Sequence, residues 1–63
     1  GIQEGSTVRV IRSPNFGKIG KVTALPSELN KMESETMVRV AEIDIDGVKT
    51  LIPRANLEMV ELQ

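Results

Sequence analysis

Asp46-Gly47 stands between two runs of alternating residues, one from Met37 to Ile45 and one from Val48 to Ile52. A two-residue Asp-Gly link between alternating runs is the preferred chemistry of a type I′ hairpin turn, because both turn residues must take positive φ. The two runs are therefore expected to pair as antiparallel strands. Period-two alternation recurs elsewhere: Val8 and Val10 fall on one face, Thr7 and Arg9 on the other. Val22 and Ala24 alternate in the same way with Lys21 and Thr23.

The breaks between these runs carry turn chemistry. Ser13-Pro14-Asn15-Phe16-Gly17 separates the first strand from a second over residues 18–25, which Pro26 ends. Residues 26–36 read as a structured loop, with Ser27 a candidate cap for a turn that puts Leu29 and Met32 together. In the third strand the apolar parity switches from Val38/Val40 to Ala41/Ile43/Ile45, which predicts a bulge or bend near Val40–Glu42. Pro53 stops the fourth strand, Arg54-Ala55-Asn56-Leu57 fits a single 3₁₀ turn, and residues 58–62 make a short last strand. Five short strands with tight turns predict an all-β fold, a small five-stranded SH3-like barrel. Its expected core is Val8, Val10, Ile19, Val22, Ala24, Val38, Val40, Ile43, Ile45, Val48, Ile52, Leu57 and Val60.

Sixty-three residues allow one domain, and a chain of this size needs an efficient core. The 40% hydrophobic content, mostly Val, Ile and Leu, suits one. Cysteine is absent, which removes disulfides and thiolate metal sites and is compatible with the cytosol. No apolar run approaches the ~20 residues that a bilayer-spanning helix needs. Residues 1–3 read as a linker or cloning remnant, ahead of a domain over residues 4–62 taken from a larger protein. The expected setting is cytoplasmic and monomeric.

The stretch Glu4-Gly5-Ser6-Thr7-Val8-Arg9-Val10-Ile11, followed by Gly17-Lys18-Ile19-Gly20-Lys21-Val22, resembles the KOW motif. Gly20 falls on the glycine that defines that family, and the remainder is similar to the barrel at the C-terminus of NusG-type transcription factors. The resemblance implies an SH3-like barrel that binds proteins or ribonucleoprotein in transcription and translation. It also implies a protein-docking surface with an aromatic after the turn proline and another at the last 3₁₀ turn. This chain has Asn15 and Arg54 there, with Phe16 one position beyond the first.

Catalysis is the class that the composition argues against. Histidine and cysteine are both missing, so the commonest general base and the commonest soft nucleophile are unavailable. Asp44/Asp46 and Glu33/Glu35 are the carboxylate pairs, read as solvated surface acids in preference to a hard-cation site. The expectation is no catalytic residue, no cofactor, no metal and no small-molecule substrate.

Charge is uneven. Residues 1–22 carry Arg9, Arg12, Lys18 and Lys21 against Glu4 alone, whereas the rest of the chain is acidic and the total is −1. If Val8 pairs with Val22, then Arg9 faces Lys21 and Arg12 faces Lys18. Like charges directly opposite destabilise a sheet unless they hold an anion, such as a phosphate backbone. The competing reading is that Glu58 or Glu61, on the last strand, neutralises Arg9. A single aromatic residue, Phe16, excludes a multi-base stacking platform or an aromatic cage.

Two function classes remain. One is an interaction module docking a protein or ribonucleoprotein partner through Asn15, Phe16, Leu29, Met32 and Arg54. The other is a weak, sequence-independent RNA or DNA backbone binder using Arg9, Arg12, Lys18 and Lys21. A barrel that packs against other domains of its own chain is the structural alternative. Phe16 is either a partly packed barrel-end residue or an exposed anchor. Leu29, Met32 and Met37 either close the barrel end or form a docking patch.

Overall fold

The computed structural model describes residues 1–31 and 36–61. Six strands run in chain order: β1 (Thr7–Val10), β2 (Ile19–Ala24), β3 (Leu29–Lys31), β4 (Met37–Ile45), β5 (Val48–Pro53) and β6 (Leu57–Met59). A 3₁₀ turn, η1 (Arg54–Asn56), joins the last two. All pairs are antiparallel, and the strands form one curled sheet, a half-barrel, as the all-β reading expects.

β4 organises the sheet because it is long enough to take three partners. Its first residues, Met37 to Arg39, pair with β3; Glu42 to Asp44 pair with β2; Val40 to Ile45 pair with β5. β3 is a sixth strand in a stretch where turn residues and Pro26 mask any alternation. β1 then joins β2 on one side and β6 on the other, which brings the chain's two ends together.

The Asp46-Gly47 turn forms as expected, with φ of 52° and 84° and Ile45 opposite Val48. The parity switch in β4 is also present: Ala41, Ile43 and Ile45 join the main core, while Val40 is buried outside that cluster, beside Pro53. The extra residue belongs to the facing strand, however. The β2–β4 register shifts between Val22 and Ala24, leaving Thr23 as the bulge, its hydroxyl 2.8 Å from the Glu42 carboxylate.

The core consists of Val8, Val10, Val22, Ala41, Ile43, Ile45, Ile52 and Leu57, with Ile2 and Leu25 packed against it. Ile2 thus belongs to the packed body, and Gln3 accepts from the Ser6 N–H. Two expected core residues are exposed instead. Ile19 is 50% exposed because its parity is opposite to that of Val22, and it faces Arg9 on the outer surface. Val48 is 64% exposed because the hairpin turn leaves it at the end of the sheet. Ala24, Val38 and Val60 are half-buried, and Ala41 takes a core position in their stead.

Candidate interaction surface

The basic hairpin adopts a register two residues away from the one that would oppose its cations. Thr7 pairs with Lys21, Val8 with Gly20 and Arg9 with Ile19. Gly20 sets this arrangement: it lies inward beside β4, where no side chain fits against the Asp44 backbone. Arg9 therefore faces an isoleucine across β2 and an acid across β6, where its Nη1 donates to Glu58 Oε1 at 2.7 Å. Lys21 faces Asp44 on β4. Arg12 and Lys18 do not oppose one another either. The Val10 N–H donates to the Lys18 carbonyl at 2.8 Å, and the Gly17 N–H to the Val10 carbonyl at 2.7 Å, so the chain turns before Arg12 can pair.

The four cations are thus not gathered into one patch: Arg9 and Lys21 face acids on the outer surface, and Arg12 lines the cleft described below. An exposed ion pair of this kind contributes about 0.2–1 kcal/mol. Glu58→Gln is expected to shift the denaturant midpoint by no more than about 0.5 kcal/mol of stability. A loss several times larger would mean that Arg9 becomes a strongly unfavourable free charge.

The residues singled out for protein docking fall into separate places. Phe16 is 71% exposed at the tip of the β1–β2 turn, so it belongs to the surface rather than to the barrel end. Arg54 is half-buried and braces the fold: its Nε donates to the Val40 carbonyl and its Nη2 to the Pro26 carbonyl, each at 3.0 Å. Leu29 sits on β3 opposite Arg39, and Lys31 is opposite Met37. Leu29 and Met37 are each about half exposed and so do not close an end of the sheet. Met32, Glu33 and Glu35 lie outside the described residues.

Beside the β1–β2 turn lies a cleft of about 470 Å³. One wall is the turn itself, Arg12 to Asn15; the other is β5 from Thr50 to Pro53, with Val10 and Asn56 completing it. Arg12 is the only charged side chain in this lining. Among the described residues β5 pairs with β4 alone, so its other edge is open. The two-residue turn fixes which groups face that edge. Ile45 and Val48 flank the turn and exchange hydrogen bonds, so Thr50 and Ile52 bond to β4, while Lys49 and Leu51 turn their N–H and C=O groups outward. The β5 wall was missed in the sequence, although counting from Asp46-Gly47 would have marked Lys49 and Leu51 as outward positions.

Among the described residues no group of three or more acidic side chains is placed to hold a metal ion. No helix there is long and apolar enough to cross a membrane. No family model matches this chain, and no curated protein or solved structure resembles it significantly.

Proposed function

We propose that this chain is a non-catalytic interaction module, which docks a protein or ribonucleoprotein partner through the β1–β2 turn and the cleft beside it. The observation that carries this reading is Phe16, the chain's only aromatic residue, held 71% exposed next to that cleft. Leaving so large an apolar side chain in water forgoes the stabilisation its burial would give, and a partner surface supplies that burial instead. Asn15 and Arg12 add polar groups to the adjoining cleft, and an apolar anchor beside polar groups is the composition typical of an interface. The resemblance to KOW barrels, through residues 4–11 and 17–22, supports the same class of role in a cytoplasmic setting as one part of a longer protein. The lack of histidine and cysteine supports a role without catalysis.

A surface anchor and a core residue respond oppositely to truncation. Phe16→Ala is expected to leave stability within about 0.5 kcal/mol of wild type, whereas removal of a core phenylalanine costs about 3–5 kcal/mol. The checks are the denaturant midpoint and retention of a partner isolated with the wild-type chain. A large fall in the midpoint, or full retention by the variant, would contradict the role given to Phe16.

A nucleic-acid role has weaker support. Arg9 is engaged with Glu58, Lys21 faces Asp44, and Arg12 lies in the cleft lining. That distribution offers no continuous cationic strip for a phosphate backbone to follow.

A further inference from the structure

We propose that the open edge of β5 receives one extended segment of a partner protein as an added antiparallel strand, and that the segment carries an apolar–x–acidic pattern. This rests on the docking reading above and specifies its mode.

Three observations converge on the edge. First, the two-residue turn directs the N–H and C=O groups of Lys49 and Leu51 away from β4. Among the described residues no backbone hydrogen bond from outside the β4–β5 pair reaches either of them. Second, the edge borders the cleft, which supplies room for side chains of an incoming strand over Val10, Pro14 and Ile52. Third, charge alternates along one row of the outer face, from Lys21 to Asp44 to Lys49. The row ends on a cation at the open edge, and Asp44 is already used by the Gly47 N–H at 2.8 Å. An acidic residue opposite Lys49 continues the alternation, and opposite charges facing across strands are favourable.

The same register defines the rest of the segment. Two residues before the acid, an apolar side chain faces Leu51, which is 43% exposed. The residue between them points to the inner side, opposite Thr50, and enters the cleft. A second copy of this chain is a poorer occupant. It would bring Pro53, which has no N–H, a second Arg12 to a cleft lining that holds no acid, and a second Lys49 to an edge whose charge row already ends on a cation. Extended peptides are bound in this way wherever a sheet offers an unpaired edge beside side-chain pockets.

The test is a titration of the ¹⁵N-labelled chain with the synthetic peptide acetyl-Thr-Val-Val-Asp-Thr amide, and with its counterpart bearing lysine in place of aspartate. Strand addition predicts that the amide signals of Lys49 and Leu51 shift together with those of residues 12–15, and that exchange of the Lys49 and Leu51 amide protons slows. The lysine peptide is expected to bind about fivefold more weakly, the size of a facing charge pair reversed from attraction to repulsion. Leu51→Pro removes one outward N–H without touching the ladder to β4 and is expected to abolish the shifts. Should that variant fail to fold, exchange protection at Lys49 and Leu51 in the wild type decides the matter alone.

Shifts confined to Phe16 and its neighbours would overturn strand addition while leaving the docking reading intact. Equal binding of the two peptides would overturn the acidic assignment. Movement of Lys49 and Leu51 with a single-stranded RNA oligonucleotide but not with the peptide would overturn the protein partner. Movement with chain concentration alone would assign the edge to self-association. No shift with millimolar peptide would overturn the whole proposal.

Discussion

Gly20→Val is expected to cost about 3 kcal/mol, the upper end of overpacking penalties, and to leave the domain close to unfolding. The reason is position rather than backbone angle, since Gly20 is not among the residues with positive φ. A Cβ at Gly20 would fall against the Asp44 carbonyl oxygen and 2.7 Å from Ile43 Cγ2. The first of these is backbone of the central strand and cannot rotate away. Valine adds two methyl groups to a gap that does not admit even the first carbon. A chain of 63 residues has a total stability of about 3–9 kcal/mol, so one such substitution removes a large part of it. The check is the denaturant midpoint of Gly20→Val beside Gly20→Ala, which already carries the offending atom and should show most of the loss. A loss under about 0.5 kcal/mol, ordinary for a surface change, would mean that β2 and β4 do not approach so closely.

Ile43→Ala is expected to be at least as damaging, at about 4 kcal/mol, within the range for burying a cavity where an isoleucine stood. Ile43 is fully buried and is the largest of the fully buried side chains. It pairs with Val22 on one side and Thr50 on the other, so truncation opens space at the centre of the sheet. Ile19→Ala provides the contrast. Ile19 lies on the outer face opposite Arg9, and its truncation should cost no more than about 0.5 kcal/mol. Similar losses from the two substitutions would require β2 to sit with Ile19 turned inward, and the hairpin register described above would then be wrong.

Much of the fold could be read from the residues because it is encoded by local chemistry. Asp46-Gly47 demands positive φ at two adjacent positions, and few structures other than a tight hairpin supply that. The strand Met37–Ile45 follows from its alternation, and the 3₁₀ turn from its place after Pro53. The registers were less legible. Pairing Val8 with Val22 matches apolar residues and looks favourable, yet the observed pairing is Val8 with Gly20. A tertiary contact, the approach of β4 to Gly20, decides between them, and no local pattern in residues 7–22 reports it. β3 escaped notice for a related reason: three residues held against β4 need no alternation of their own.

The candidate surface was legible in part. Pro14-Asn15-Phe16-Gly17 is turn chemistry and turns lie at the surface, but the residues left open whether the Phe16 ring packs back on the barrel end, and only the fold shows it 71% exposed. Arg54 was a less readable case. Its charge suggests a rim contact, but its guanidinium spans two backbone carbonyls, at Val40 and Pro26, that come together only in the folded sheet. The cleft wall formed by Thr50 to Pro53 likewise exists only once the β1–β2 turn folds over β5.

The central proposal is that this chain engages a partner at the turn and cleft rather than a phosphate backbone along its cationic hairpin, where Arg9 and Lys21 face acids. Titration of single-stranded RNA into the ¹⁵N-labelled chain at low salt tests it most directly. The expected result is no concerted movement of the Arg9, Arg12, Lys18 and Lys21 amide signals, because Arg9 is paired with Glu58 and Lys21 faces Asp44. The contradicting result is a joint shift of all four whose affinity falls steeply with salt, with a log–log slope near −0.7 for each phosphate neutralised.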